Sequence, residues 1–247
     1  ILQKRISADS KFYMGKGKIQ SVIRQAEELQ ANIILVNDEL TPLQIKNLEK
    51  VGNKKISFFD RTRVILNIFK DHARTKEAKK QVQLAELQYM LPRLTRMWTH
   101  LERQAGGIGL RGGPGETQIE IDRRIISKKI FRLKNEIKKI EKQKITQQKS
   151  RKNSLQITLT GYTNSGKSTL MNVMTGSDVY IQDQLFATLD TTTRKLDIQF
   201  PKQILISDTV GFMQKLPHEL LESFKTTLKQ VVQSDLLLRV FDASADN

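Results

Sequence analysis

Eight consecutive residues of the chain have the types and spacing needed to hold a row of phosphates. Residues 161–168 read GYTNSGKS and match G-x4-G-K-[ST], between a β-rich segment at 155–160 and a helical pattern from Lys167 to Met174. Glycines let the backbone turn so that successive N–H groups converge on an anion, and the helix N-terminus adds partial positive charge. In such a loop Lys167 would contact the β- and γ-phosphates, and the Ser168 hydroxyl would be a Mg²⁺ ligand. The strand–loop–helix context favours this interpretation over a glycine-rich turn without a ligand.

A second segment could supply the carboxylate that such a loop needs for its metal ion. Residues 203–207 (QILIS) are predicted to form a strand, and a D-x-x-G sequence follows at 208–211, with its aspartate 41 residues beyond Lys167. Asp208 would bind Mg²⁺ through water, and the Gly211 N–H would hold the γ-phosphate. D-x-x-G alone is a very weak pattern, so the preceding apolar strand and the spacing carry this assignment.

A threonine-rich stretch lies between these two motifs. Residues 186–194 read FATLDTTTR. A switch threonine in this region would complete the Mg²⁺ shell and sense the γ-phosphate. The hydroxyls of Thr188, Thr191, Thr192 and Thr193 are all chemically able to do this, and the residues alone leave the choice open.

The elements that would position these motifs alternate between strand and helix, which predicts parallel α/β pairing in both halves of the chain. A third strand of the C-terminal half is predicted at 236–241 and ends at Asp242. In the N-terminal half we predict helices over 16–30, from Thr41-Pro42 to about Lys50 and over 62–72, and strands over 33–36 and 56–59.

Two helical stretches between these halves share a narrow apolar seam. Leucine and tryptophan recur at spacings of 3 and 4 over residues 84–101, and isoleucine and leucine do so over 126–140. Between them, residues 105–116 contain six glycines and a proline, so they cannot be helical. We predict an antiparallel helical hairpin, which Pro92 kinks or divides in its first helix. The hairpin could be purely structural, or its tip with Arg111 could probe a partner.

The charge of the chain is concentrated in its middle. The 247 residues include 42 Lys+Arg and 26 Asp+Glu, for a net charge of +16. Residues 1–120 carry net +8, residues 121–153 carry net +10 and residues 154–247 carry net −2. Few acidic residues balance the second hairpin helix, which favours a phosphate-backbone partner over a merely solvated face. The RNA contacts we predict are Arg111, Arg123, Arg124, Lys128, Lys129 and Arg132.

These patterns also limit the domain organisation and the class of protein. We predict an N-terminal α/β subdomain over 1–76, the basic hairpin over 77–148, a linker over 149–153 and a P-loop domain over 154–247. The chain has no cysteine, which removes disulfides and thiol chemistry and fits a reducing compartment. No apolar run approaches the roughly 20 residues that span a bilayer, and the basic helix has a seam that its partner helix can cover, so a membrane-surface role is less favoured.

The quoted motifs together resemble the HflX-type GTPases of the Obg-HflX group of translation factors. The resemblance covers nearly the whole chain, and the glycine-rich tip followed by GETQ-E is highly specific to that family. It rests on LPRLTRMWTHLERQ (91–104), GGIGLRGGPGETQIEIDRR (106–124), GYTNSGKSTLMN (161–172), DQLFATLDTTTR (183–194) and DTVGFMQKLPHELLESFKTTL (208–228).

The resemblance implies an N-terminal α/β domain with a helical hairpin, joined to a Ras-like G domain. It implies a cytoplasmic, Mg²⁺-dependent GTPase, monomeric, with no membrane span, that associates peripherally with ribosomes or the membrane. Such a protein would bind the large ribosomal subunit and its rRNA and separate stalled or stress-arrested ribosomes. An alternative is an RNA-binding or remodelling module in which GTP or ATP acts only as a structural switch.

The resemblance also selects residues. Thr188 aligns with the switch threonine of the family, and Phe212 stands where Ras-like enzymes carry a water-orienting glutamine, so intrinsic hydrolysis should be slow. Lys167, Thr188 and Gly211 would stabilise the transition state, and Ser168 and Thr188 would bind the metal. The nucleotide-binding set is Gly161, Tyr162, Thr163, Asn164, Ser165, Gly166, Lys167, Ser168, Thr169, Phe186, Ala187, Thr188, Asp208, Thr209, Val210 and Gly211.

The sequence departs from the family pattern in two places. The tip reads RGGPGE, one glycine longer than the usual RGPGE. No N-K-x-D guanine-reading motif appears before Asn247, and the chain starts at Ile1 rather than Met. We therefore expect that the sequence is part of a longer protein, and the choice of GTP rests on the resemblance alone.

Overall fold

The structure is a computed structural model, and it contains two compact units. It describes residues 7–52, 55–94, 118–149, 154–176, 192–212, 220, 231–232 and 234–244. One unit comprises residues 1–67 and 90–123, and the other comprises residues 68–89 and 124–247. Within the described ranges, no helix combines the length and the apolar character that crossing a membrane requires. The domain boundaries proposed from the sequence stay a prediction.

The N-terminal unit confirms the predicted alternation of helices and strands. Strands β1 and β2 pair in parallel, with Ile33 beside Ser57 and Val36 beside Asp60. Thr41 begins α2 with the expected cap, because its hydroxyl accepts from the Gln44 N–H while the Gln44 side chain accepts from the Thr41 N–H. The elements are α1 (Lys16–Glu28), β1 (Ile33–Val36), α2 (Pro42–Val51), β2 (Ser57–Asp60) and α3 (Arg61–His72).

Helices α1 and α2 contribute to one apolar core with the two strands. Its buried members are Ile19, Ile23, Ala26, Val36, Leu40, Leu48, Ile56 and Phe58. Beside this core, the carboxylate of Asp60 is fully buried and accepts hydrogen bonds from the N–H groups of Leu40 and Arg63. The buried guanidinium of Arg93 lies 3.6 Å from the same carboxylate and donates to the Leu40 carbonyl at 2.8 Å. A buried charge pair thus connects the segment after α4 to this core.

The two predicted hairpin helices pack against each other. Helix α4 covers Lys76–Met90, a 3₁₀ turn follows at Leu91–Arg93, and helix α5 covers Gln118–Lys149. Helix α4 therefore ends before Pro92, and the continuation predicted beyond it lies outside the described residues. Leu84 of α4 packs against Leu133 and Ile137 of α5, with partly buried Leu87 and Ile130 beside them. The antiparallel direction of the two helices stays a prediction. The glycine-rich tip at 105–116 lies outside the described residues.

The C-terminal half forms a four-stranded sheet in the order β4-β5-β3-β6. The central strand β3 is parallel to both β5 and β6, whereas β4 runs antiparallel to β5 at the edge. Its elements are β3 (Ser154–Gly161), α6 (Lys167–Thr175), β4 (Thr192–Leu196), β5 (Gln203–Asp208) and β6 (Leu236–Val240). The three strands predicted from the sequence are confirmed, and β4 is an addition to them.

Helix α6 covers the middle of this sheet. Its Met171 is fully buried in a core that also contains Ile157, Leu159, Leu196, Ile204 and Ile206. Because β3 pairs with β5 in a register that sets Leu159 beside Asp208, the carboxyl ends of both strands lie together at the start of α6. That edge is where ligands bind in open α/β sheets.

Candidate functional site

The loop from β3 to α6 takes the backbone conformation that its glycines allow. Gly161 has φ +153°, and a Cβ there would lie 2.3 Å from the Val240 carbonyl oxygen. Gly166, the N-cap of α6, has φ +83°, and Asn164 is left-handed with φ 63°. At Gly161 a side chain would collide with the backbone, and at Gly166 it would strain a left-handed backbone conformation, so both positions favour glycine. Asn164 is among the non-glycine residues that tolerate this conformation best.

Lys167 is buried at the first position of α6. Only 6% of the residue is exposed, and its ammonium donates to the Tyr162 carbonyl at 2.5 Å. Burial lowers the pKa of Lys167, and the Asp208 carboxylate partly opposes this shift. An ammonium that is desolvated in this way gains when an anion comes to it, which is the property that a phosphate-binding lysine needs.

A hydroxyl and a carboxylate meet next to this lysine. The Ser168 Oγ donates to the Asp208 Oδ2 at 2.6 Å, and Asp208 is 1% exposed at the last position of β5. The two oxygens come from motifs 40 residues apart in the sequence. Both are hard oxygen donors of the kind that Mg²⁺ prefers, so their chemistry and their proximity fit that ion.

The D-x-x-G segment is attached to the loop by hydrogen bonds. The Phe212 N–H donates to the Gly161 carbonyl at 2.9 Å, and the Thr163 N–H donates to the Phe212 carbonyl at 3.0 Å. Gly211 passes so close that a Cβ there would lie 2.7 Å from the backbone of Thr163. The buried Thr209 hydroxyl donates to the Leu159 carbonyl at 2.7 Å. These contacts join the D-x-x-G segment to the loop and to β3.

The remaining loop residues differ in exposure. Tyr162, Asn164 and Thr169 are exposed, and Val210 is half-buried. Ser165 has a buried Oγ that makes no hydrogen bond to the described part of the chain. Together with Gly161, Thr163, Gly166, Lys167, Ser168, Asp208, Thr209 and Gly211, these residues form one contiguous cluster.

The switch-threonine candidates are separated. Thr192 and Thr193 belong to β4, where the Thr193 and Ser207 hydroxyls are 2.9 Å apart in a cross-strand hydrogen bond. Their hydroxyls are therefore on a sheet edge rather than in a free loop. The other members of the predicted set in this stretch, Phe186, Ala187, Thr188 and Thr191, lie outside the described residues.

Sequence reasoning missed two contacts that stabilise the site. The Tyr162 carbonyl holds the Lys167 ammonium, which no residue type can reveal because the acceptor is backbone. The Asp235 carboxylate accepts from the Gln156 N–H at 2.8 Å and fixes β6 beside β3. An aspartate directly before an apolar strand was the available signal for the second contact. Among the described residues, no cluster of three or more metal-ligating His, Cys, Asp or Glu side chains occurs.

The five predicted RNA contacts on α5 are all exposed, and the sixth, Arg111, lies outside the described residues. They do not share one face. The Arg132 guanidinium donates to Glu136 at 3.0 Å, and Glu136 also accepts from Lys80 of α4. These two hydrogen bonds, that from Lys80 first, lower the pKa of Glu136. Arg123, Arg124, Lys128 and Lys129 make up the rest of the set.

Family models match almost the whole chain. A model described as GTP-binding GTPase N-terminal matches residues 1–70, and one described as GTP-binding GTPase middle region matches 72–151. A third, described as 50S ribosome-binding GTPase, matches 156–247 and therefore includes the candidate site.

Curated relatives agree with these matches. The chain is 51% identical to a protein named GTPase HflX from Flavobacterium psychrophilum, over 98% of this chain and 58% of the relative. It is 48% identical to GTPase HflX from Magnetococcus marinus, over 98% and 56%, and 44% identical to that of Escherichia coli, over 99% and 57%. The chain thus spans just over half the length of these relatives.

A solved structure shares the fold. The crystal structure of SsGBP in complex with GDP aligns with a TM-score of 0.51 and 27% identity, over 98% of this chain and 63% of that one.

Proposed function

Because the chain belongs to the HflX-type family of GTPases, we propose that it binds GTP with Mg²⁺ and contributes to hydrolysis of GTP to GDP and phosphate. The observation that carries this proposal is the juxtaposition of a buried Lys167 with the Ser168–Asp208 hydrogen bond of 2.6 Å. The helix N-terminus carries a desolvated cation and a pair of hard oxygens. This combination suits a nucleoside triphosphate and its metal.

Each residue of the site has a distinct role in this proposal. Lys167 would exchange the Tyr162 carbonyl for the β- and γ-phosphates, Ser168 would hold the metal directly, and Asp208 would hold it through water. When bound, the metal would neutralise negative charge on the phosphates. The Gly211 N–H donates to the γ-phosphate, and Thr188 is the switch residue that the family resemblance selects.

The chain offers no side chain at position 212 that could orient water. The Phe212 residue is 45% exposed, and its backbone is hydrogen-bonded to Gly161 and Thr163. Apolar carbon cannot accept a proton, so we propose slow intrinsic hydrolysis. A partner must then order the switch segments and position the water.

We propose that this partner is the large ribosomal subunit and its rRNA. The support is the exposed basic surface of α5, in which nine basic residues stand against two acidic ones between residues 123 and 142. Phosphate contacts from such a surface give affinity without base specificity. Hydrolysis on the subunit would then be coupled to release of stalled ribosomes in the cytoplasm.

The nucleotide part is tested by one substitution. We expect Lys167→Ala to abolish binding of a fluorescent GTP analogue, whereas Lys195→Ala, at an exposed position of β4, leaves the affinity unchanged. Equal affinity in the two variants would refute the P-loop assignment.

The ribosomal part is tested by turnover. We expect 50S subunits to raise GTP hydrolysis by the unaltered chain, and not by Lys167→Ala. RNA binding that persists at the same strength with GTP, with GDP and without nucleotide, combined with no stimulation by 50S subunits, would favour a nucleotide-independent RNA-binding module instead.

A further inference from the structure

Helix α5 carries a second regular stripe, opposite its apolar seam. The seam repeats at spacings of 3 and 4 over residues 126–140, and Leu133 and Ile137 in it are buried. The positions two residues before each seam position repeat in the same way. At about 100° per residue, a shift of two residues is about 200°, so these positions point directly away from α4. These positions are Arg124, Lys128, Phe131, Asn135 and Lys138, and Lys142 continues the same face one turn further; the six residues are the outer stripe.

The outer stripe combines basic residues with one aromatic ring. All six residues are exposed, four are basic and none is acidic. At its centre is Phe131, which is 69% exposed, with Lys128 and Lys134 one turn away on either side. A phenyl ring gains no favourable free energy from exposure to water. The hairpin core does not need it either, because that core is built on the opposite side of the helix.

We propose that the outer stripe docks on structured RNA and that the Phe131 ring stacks on an unpaired base. This inference rests on the proposed rRNA partner and names the element recognised. The basic residues would lie along a phosphate backbone over about 27 Å, since 18 residues separate its ends at about 1.5 Å each. Aromatic rings among cations are the usual platform for unstacked bases, whereas a paired base offers no free face.

The geometry favours RNA over an anionic membrane. Insertion into a bilayer surface needs a broad apolar face, and the apolar seam of α5 is covered by Leu84 and Leu87 of α4. A single ring cannot replace that face. It is, however, enough for one base.

The proposal also ranks the basic residues. Lys128 lies on the outer stripe, whereas Lys129 is next to the apolar seam, and Arg132 is engaged with Glu136 at 3.0 Å. Two adjacent lysines are therefore expected to differ in their effect on RNA binding, and they form a matched pair of positions.

The experiment uses the whole chain and two RNA stem-loops that differ only in a bulged nucleotide, 2-aminopurine. Phe131→Ala should weaken binding to the bulged RNA by about 5- to 150-fold and should leave affinity for the fully paired RNA unchanged. Quenching of the 2-aminopurine fluorescence should be lost in this variant and kept in Phe131→Trp. Ile125→Ala, at an exposed apolar position off the stripe, is the control and should bind as the unaltered chain does.

The salt dependence of RNA affinity shows which lysine contacts a phosphate. Lys128→Ala should reduce the slope of log affinity against log salt by about one, and Lys129→Ala should not. Equal slopes in the two variants would refute the proposal that the outer stripe is the face that contacts RNA.

Three further results overturn the base-stacking role. They are an equal loss on bulged and paired RNA, a Phe131→Leu variant that quenches and binds like the unaltered chain, and binding to phosphatidylserine vesicles that depends on Phe131 while RNA binding does not. Co-sedimentation with 50S subunits separates this failure from a failure of the proposed function. An unaltered chain that does not sediment refutes the ribosomal partner, whereas one that sediments while Phe131→Ala has normal affinity for bulged RNA refutes only the stacking.

Discussion

Gly211 has no room for a side chain, and this gives a quantitative prediction for Gly211→Ala. The new Cβ would lie 2.7 Å from the Cα and the N of Thr163 and 2.9 Å from its Cγ2, where ordinary contacts are 3.4–4 Å. Because two of these atoms are backbone, no rotamer change relieves the contact. The D-x-x-G segment must therefore move away from the loop by about 0.7 Å or distort locally.

The free-energy cost of this movement has two sources, overpacking and stretched backbone hydrogen bonds. Overpacking of this kind costs about 1–3 kcal/mol. The displacement also stretches the two backbone hydrogen bonds between Phe212 and the loop, each of which contributes about 1 kcal/mol. We expect a loss of about 2–4 kcal/mol in the local free energy of opening, because some of the strain is relieved as those bonds lengthen.

Hydrogen exchange of the nucleotide-free chain measures this quantity. The amides of Thr163 and Phe212 should exchange about 30- to 1000-fold faster in Gly211→Ala. Gly166→Ala is the control that adds backbone strain without a steric clash. Gly166 has φ +83°, and no atom lies within 4 Å of an added Cβ. This variant should lose about 1–2 kcal/mol in the local free energy of opening. Gly17→Ala, at an open helical position, should cause no loss.

One result would refute the reasoning. If Gly211→Ala exchanges at these amides no faster than Gly166→Ala, the backbone approach between the two motifs is not the constraint that excludes a side chain.

Two other predictions concern the switch segment and the hairpin. Phe212→Ala should leave intrinsic GTP hydrolysis within about tenfold, because an exposed phenyl ring does no proton transfer; a single-turnover assay that shows complete loss would contradict this. Lys80 and Arg132 lower the pKa of Glu136 from its usual 4.5, so this group stabilises the hairpin above about pH 4.5, and the contribution is lost as the pH falls through the lowered value. Glu136→Gln should therefore flatten the acid dependence of α5 helicity in circular dichroism, and an unchanged profile would count against the pair.

The sequence predicted most elements of the fold because their signals are local. Thr41-Pro42 with Gln44 is a complete helix start, and the glycines of the loop encode the conformation that the structure shows at Gly161 and Gly166. The strand before Asp208 was visible as an apolar run. These features need no knowledge of distant contacts.

The features that were missed depend on distant parts of the chain. Strand β4 has the sequence TTRKL and no apolar alternation, because it is an edge strand with charged side chains in solvent. Thr209 contacts the Leu159 carbonyl across 50 residues, and only the sheet order reveals that partner. The buried guanidinium of Arg93 contacts the Leu40 carbonyl across 53 residues, a partner that no local pattern indicates.

The buried pair of Asp60 and Arg93 has a consequence for the order in which the chain is made. Asp60 leaves the ribosome 33 residues before Arg93, so a nascent N-terminal unit must hold this carboxylate in its core without the guanidinium until the segment after α4 has been synthesised. The same holds for a shortened chain that ends at residue 76. It would keep every strand and helix of the N-terminal core and still lack the Arg93 guanidinium that pairs with Asp60. Stable folding of this core therefore requires a longer segment of chain than its helices and strands occupy.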